Sequence, residues 1–280
     1  MRTLAHLSDL HFGSVDEAVL APLREALQAL APDLVVVSGD LTQRARTSQF
    51  RAARAFLDTL PKPQVIVPGN HDVPLYNVVA RFVAPLRNYR RIVSEDLEPV
   101  FIDGEIAVVG VNTARSATFK GGRINEEQVA RVRAKVCALP QEVVKIVVTH
   151  HPFDVPKGSH EGDQILGGAR MALERLADCG ADVFLSGHLH EGHVGHTADR
   201  YRIAGLSALV VQAGTATSSR TRESPNSFNV LRLSGAHIEI TQHAWTGAAF
   251  LPGPVLAFDH DSRGWHHSER LGRPCQATAA

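Results

Sequence analysis

Five short polar motifs each follow an apolar run, and this repetition limits the fold of the 280-residue chain more than any other feature. The motifs are Asp9-Leu10-His11, Gly39-Asp40, Gly69-Asn70-His71-Asp72, His150-His151-Pro152 and Gly187-His188-Leu189-His190. The runs before them are Leu4 to Leu7, Leu34 to Val37, Val65 to Val67, Ile146 to Val148 and Val183 to Leu185. Short aliphatic runs bounded by turn residues read as buried strands. In open α/β sheets, ligands bind beyond the carboxyl ends of the strands, so five loops from one sheet can converge on one pocket.

The spacing of Val19, Leu20, Leu23, Leu27 and Leu30 predicts a helix over Asp16–Leu30, and Thr47 reads as the N-cap of a helix ending near Leu60. Alternation of these helices with the first three strands predicts a parallel sheet covered by helices. Asp103-Gly104 between two apolar runs predicts a hairpin. Asn125 with Gln128 reads as a capping box opening a helix through about Leu139, and Ala169–Cys179 reads as a helix stopped by Gly180. Leu209–Ala213, Phe228–Leu233 and Ile238–Ala244 read as strands. From Gly253 on, Pro, Gly, His and charge replace periodicity. The expected organisation is therefore one domain over 1–252 and a poorly ordered or docked tail over 253–280.

With 29 basic and 29 acidic residues the formal net charge is zero, which gives no electrostatic case for binding a nucleic-acid polymer. Three cysteines, Cys137, Cys179 and Cys275, argue against a disulfide framework and fit a reducing, cytoplasmic location. Neither a signal peptide nor an apolar stretch long enough for a membrane span is expected. Fifteen histidines are the compositional oddity, and their clustering in the motifs points to metal or acid–base work.

Asp9 and His11 stand two apart at a strand end, where an extended chain turns both toward one ion. A turn-capping Asp9 beside a surface His11 is the plainer alternative. Asp40 has two oxygens and can bridge two metals or simply cap a turn; Gly39 lets the backbone approach an ion closely. Gly-Asn-His-Asp is more specific, since a fixed tetrapeptide occurs on the order of once per 10⁵ residues. In it, Asn70 offers an amide oxygen to a metal, His71 faces substrate, and Asp72 holds the second nitrogen of His71 and sets its tautomer. His150 aims at the strand-end crevice, whereas adjacent His151 points elsewhere and reads as structural. His188 and His190 repeat the two-apart spacing and can serve one ion each. Nitrogen and oxygen donors without thiolate suit manganese, iron or zinc. Asn112, Arg220 and Arg222 are candidates for gripping the substrate, although a turn asparagine and solvated arginines are the plainer readings; His160 lies in a loop that can overhang the site.

Taken together, these motifs resemble those of the calcineurin-like metallophosphoesterases over residues 9 to 190. The resemblance implies a four-layer sandwich of two mixed β-sheets flanked by helices. By motif position it implies that Asp9, His11, Asp40 and His190 hold one divalent ion, that Asp40, Asn70, His150 and His188 hold a second, and that His71 contacts the phosphate without binding metal. The stretch from Gly214-Thr215-Ala216 to Ser227-Phe228-Asn229 is similar to the bacterial class III cyclic nucleotide phosphodiesterase branch. Thr42 and Gln43 stand where purple acid phosphatases carry a ligand tyrosine, and His71 stands where UDP-diacylglucosamine hydrolases carry arginine. The expected activity is dinuclear-metal-dependent hydrolysis of small phosphodiesters, cyclic nucleotides first, by a metal-bridging hydroxide, with His71 stabilising charge or protonating the leaving oxygen. Glycerophosphodiesterase, nucleoside-diphosphate hydrolase and phosphomonoesterase activities use the same site. A protein-binding scaffold is the alternative of another class, and a homodimer is what the resemblance implies.

Overall fold

The structure is a computed structural model, and it describes residues 1–155, 165–219, 224–262 and 264–268. One sheet contains β1 (Arg2–Leu7), β2 (Leu34–Val37), β3 (Gln64–Ile66), β10 (Ser227–Ser234), β11 (His237–Trp245), β12 (Phe250–Asp261) and β13 (Gly264–His267), in the order β13-β12-β11-β10-β1-β2-β3. The other contains β4 (Val100–Ile102), β5 (Ile106–Gly110), β6 (Val144–Val148), β7 (Val183–Ser186), β8 (His193–His196) and β9 (Leu209–Gln212), in the order β4-β5-β6-β7-β9-β8. Each sheet is mixed, with a parallel centre: β1-β2-β3 in one and β5-β6-β7-β9 in the other.

Side-chain alternation along these strands builds the layers. Leu4, Leu34, Val36, Val65 and Val67 meet Ile106, Val108, Ile146, Val148, Val183 and Leu185 between the two sheets. Their sequence neighbours Ala5, Leu7, Val35 and Val37 point the other way, onto α1 (Glu17–Leu30) and α2 (Thr47–Leu57). Val109, Val147 and Phe184 pack under α5 (Glu126–Val136) and α6 (Ala169–Leu176). The result is helix, sheet, sheet, helix: the four layers expected. Two further short helices, α3 (Val78–Val83) and α4 (Arg87–Ile92), have no counterpart in the sequence reading.

The helix expected over Asp16–Leu30 starts at Glu17, with Asp16 as its cap through Ala18 N, and the expected reciprocal box of Asn125 and Gln128 forms at α5. Thr47 is the first helical residue of α2 rather than its cap, because the Gln49 side chain already accepts from the backbone of Arg44 and Arg46. Of the tail expected from residue 253, the described residues 253–261 and 264–267 are strand. β12 pairs antiparallel with β11 and β13 with β12, and Phe258 and Trp265 are buried between the sheets. Pro252, Gly253 and Pro254 mask β12 in the sequence, and its mostly exposed side chains remove the alternation. Cys137 and Cys179, 42 residues apart in sequence, stand next to each other, because the carboxyl ends of α5 and of the turn after α6 lie side by side. No helix among the described residues is long and apolar enough to cross a membrane.

Candidate metal centre

All five motif loops emerge from carboxyl ends of parallel strands, but not from one sheet. The first three follow β1, β2 and β3; the last two follow β6 and β7 of the facing sheet. The loops are laced by backbone bonds: Asp9 N to Gly39 O (3.0 Å), His11 N to Asp40 O (2.9 Å) and Gly187 N to His150 O (3.0 Å). Side chains extend the lacing: across the sheets His188 N donates to Asp9 Oδ2 at 2.9 Å, and within one sheet His71 N donates to Asp40 Oδ1 at 2.8 Å.

The local backbone is not extended, as the two-apart spacing had suggested. Asp9, His11, Asp40, His188 and His190 all have φ between 50° and 75°, and the only other non-glycine residues with positive φ among those described are Ala31 and Ala45. In the first and last loops, left-handed residues on either side of a leucine curl the chain so that both side chains turn inward. Such conformations cost on the order of 1–3 kcal/mol each and gather where geometry matters more than stability. Glycine makes room for the curl. A Cβ on Gly187 would stand 1.8 Å from Ser8 Oγ, and one on Gly39 (φ 101°) would stand 2.7 Å from His150 Nδ1. The close approach at Gly39 is thus to a neighbouring imidazole.

Two linked clusters of donor atoms follow. Asp9 Oδ1 lies 3.4 Å from His11 Nε2 and 3.2 Å from His190 Nε2, and those two nitrogens are 3.0 Å apart. Asp40 Oδ2 lies 3.8 Å from His11 Nε2 and 3.3 Å from His150 Nε2, which in turn is 3.1 Å from Asn70 Oδ1. His188 packs on His150, with ring centroids 5.2 Å apart. Asp40 therefore sits between the clusters, as a bridging carboxylate would.

This donor set fits cations. His150 Nδ1 donates to Ser38 O at 2.8 Å, which leaves Nε2 as the atom facing the oxygens of Asp40 and Asn70. Asp9 Oδ1 is buried without a hydrogen-bond partner, facing the Nε2 atoms of His11 and His190. Buried acceptors gathered in this way are unfavourable unless positive charge lies among them. The two carboxylates also lean on neighbouring imidazoles for charge compensation. Burial alone would raise the Asp9 carboxyl, but His190 and His11 hold it well below the usual carboxylate range. Burial would raise Asp40 too, and His150 and His71 hold it below. Burial would lower His150, but the Asp40 carboxylate lifts it to about 9. Burial and the neighbouring His150 push His188 down to about 3.

The calcineurin-like phosphoesterase family model matches residues 2–192, which takes in every one of these loops. The chain belongs to the calcineurin-like phosphoesterase family. It is a metal-dependent phosphoester hydrolase. Among its relatives, a glycerophosphodiester phosphodiesterase GpdQ of Enterobacter lignolyticus is 26% identical over 220 residues, covering 74% of this chain and 76% of that protein. A probable cyclic nucleotide phosphodiesterase of Synechococcus is 26% identical over 121 residues, 37% of this chain and 48% of that one. In fold, the purple acid phosphatase PPD1 from yellow lupin superposes with a TM-score of 0.70 at 13% identity, covering 94% of this chain and 54% of the lupin chain.

Within this calcineurin-like frame, some site expectations are redrawn. Asp72 does not hold His71. It is buried and accepts from Gly69 N, Leu41 N, Thr42 N and Thr42 Oγ1 at 2.9–3.1 Å, so it braces the loops after β2 and β3 against each other. Burial and the Asp40 charge lift its pKa to about 6. The second nitrogen of His71 faces the Gln43 carbonyl instead, with Nδ1 at 3.0 Å from Gln43 O. A backbone acceptor leaves no trace in side-chain identity, so no motif could have signalled it. His151 is structural as expected: its nitrogens meet Thr113 Oγ1 at 2.8 Å and Lys120 O at 2.9 Å. Asn112 forms a turn, accepting from Ala114 N, and lines a cavity of about 770 Å³ with Arg90 and Arg115. Arg220, Arg222 and His160 lie outside the described residues. The Gly214-Thr215-Ala216 stretch supports the first loop, since Thr215 Oγ1 donates to Asp9 O at 2.8 Å and Ala216 N to Ser8 O at 2.9 Å.

Proposed function

We propose that this chain hydrolyses small phosphodiesters at a dinuclear site in which Asp9, His11, Asp40 and His190 hold one divalent ion and Asp40, Asn70, His150 and His188 the other. The observation that carries the reading is the joint convergence of those seven side chains, five of them on left-handed backbone. Two divalent ions bound there would supply Lewis acidity and an activated water. Against their four positive charges stand two carboxylates and otherwise neutral ligands, leaving about +2 for an anion. A phosphodiester, with one negative charge, satisfies that demand without a second ionisation.

His71 is half-buried and sits edge-on to His11, with ring centroids 4.9 Å apart. With Nδ1–H donated to Gln43 O, its Nε2 is the atom left to meet the substrate. Protonated there, the imidazole would stabilise the charge developing on the phosphoryl group or give its proton to the departing alkoxide. Asp72 acts at one remove, keeping the loops of Asp40 and His71 in register.

Cyclic nucleotides stood first on the sequence reading. The match over about three quarters of both chains to a glycerophosphodiester phosphodiesterase puts glycerophosphodiesters beside them. The deciding experiment strips the metals, restores manganese, iron or zinc singly, and measures turnover of an aryl diester, a cyclic nucleotide, a glycerophosphodiester and an aryl monoester. Diester turnover that depends on two equivalents of metal is expected. Two bound metals with no turnover on any phosphoester would instead favour the scaffold reading.

A further inference from the structure

Helix α3 is inside out. Val78, Val79, Phe82 and Val83 are 62–79% exposed, whereas Arg81 between them is only 2% exposed. Burying a guanidinium is costly unless its donors are satisfied, and here they are met by carbonyls alone. Nε donates to Ser116 O at 2.7 Å, Nη1 to Pro74 O at 2.9 Å, and Nη2 to Thr118 O. The guanidinium also lies over the Phe119 ring, 4.6 Å from its centroid. Among the described residues no carboxylate pairs with it, so its site is built to hold a segment of backbone rather than to balance a charge.

That segment leads directly to the metal centre. The next carbonyl, of Phe119, accepts from Asn70 Nδ2 at 3.2 Å, and the one after it, of Lys120, meets His151 Nε2 at 2.9 Å. An asparagine amide can present either face to a cation, but only its oxygen is a ligand. With Nδ2 committed to Phe119 O, Oδ1 is turned toward His150 Nε2 and the Asp40 side of the site.

We propose that Arg81 is a positioning residue for the metal ligand Asn70, acting by pinning residues 116–119 so that the Phe119 carbonyl fixes the orientation of the Asn70 amide. This rests on the dinuclear reading, with Asn70 as a ligand of one ion. Its consequence is selective: loss of Arg81 weakens the ion that Asn70 holds and spares the ion held by Asp9, His11 and His190.

The test is a calorimetric titration of the metal-free chain with manganese, with circular dichroism to establish folding. Wild type is expected to show two sites. Arg81→Met should weaken one of them about 10- to 100-fold, the range for groups that orient metal ligands. Asn70→Ala should weaken the same site, and the double variant should be no weaker than Asn70→Ala alone. Arg81→Lys, which keeps the charge but lacks the planar fork that reaches three carbonyls, should give a smaller loss at the same site and serves if Arg81→Met does not fold. Unchanged affinity in folded Arg81→Met, equal weakening of both sites, an additive double variant or, where Arg81→Met does not fold, a silent Arg81→Lys would each overturn the proposal. A wild type with fewer than two sites, or a silent Asn70→Ala, would overturn the dinuclear reading itself, an outcome distinct from silence of Arg81→Met alone.

Discussion

His71 shows how one residue gains its role from atoms that carry no sequence signal. Its imidazole is oriented by a backbone carbonyl of Gln43, and its backbone N–H is held by Asp40. Because it is placed to serve the leaving group and not the metals, His71→Ala should lower diester turnover by about 10²–10⁴-fold while leaving bound metal at wild-type stoichiometry. Metal analysis beside the assay checks this, and lost metal would make His71 a ligand. The residues that curl the loops obey a related logic. Asp and His tolerate left-handed φ better than β-branched residues, but the conformation persists only because surrounding bonds over-determine it. Thr215, Thr217 and Ser38 supply such bonds, through Asp9 O, Leu10 O and His6 Nε2.

Among the elements, α5 illustrates what the sequence does and does not carry. Its capping box was legible because both partners are three residues apart. Its tie to the segment before β4 was not, because Glu98 is distant in sequence: Glu98 accepts from Gln128 Nε2 at 3.0 Å and from Arg131 Nε at 2.8 Å. Partial burial would raise the Glu98 carboxyl, but Arg131 and Gln128 hold it below its ordinary value. A carboxyl depressed in the folded state stabilises the fold above its unfolded pKa and loses that contribution as pH falls through the folded pKa. Glu98→Gln should therefore cost roughly 0.5–1 kcal/mol at pH 7, discounted for the exposure of Arg131, and less near pH 3. Urea denaturation at the two pH values measures it; an equal cost at both would mean that charge is not the cause. Helix α3 was missed because it turns its apolar residues outward, which defeats any reading of helices from buried periodicity, and α4 because its six residues are mostly polar and too few to show a period.

At the scale of the whole molecule, the two sheets share one core, and the carboxyl-terminal strands belong to it. Phe258 and Trp265 are at most 4% exposed, packed with residues of both sheets, and β12 covers the edge of β11 along most of its length. A chain ending at Pro252, where the sequence reading placed the domain boundary, should lose about 3 kcal/mol or more, the cost of removing one large buried aromatic. It should also expose an unpaired edge prone to association. Thermal melting with light scattering tests this, and a melting temperature within a few degrees of the full chain would restore the boundary at 252.

What the sequence determined by itself is whatever is written in local pattern: the strand-forming runs, the helices α1, α5 and α6, and the chemical types that gather at strand ends. Five loops with Asp, Asn and His after apolar runs were enough to name Asp9, His11, Asp40, Asn70, His150, His188 and His190 as a group. Only the tertiary structure decided that the loops come from two facing sheets, that the chain curls through left-handed residues to aim them, and that Gln43, Thr215 and Arg81 support them through carbonyls. The physical reason is common to all three. Strand and helix signals arise from neighbours in the chain, whereas sheet partnership, loop curvature and backbone hydrogen bonds across loops depend on groups brought together only once the core has closed.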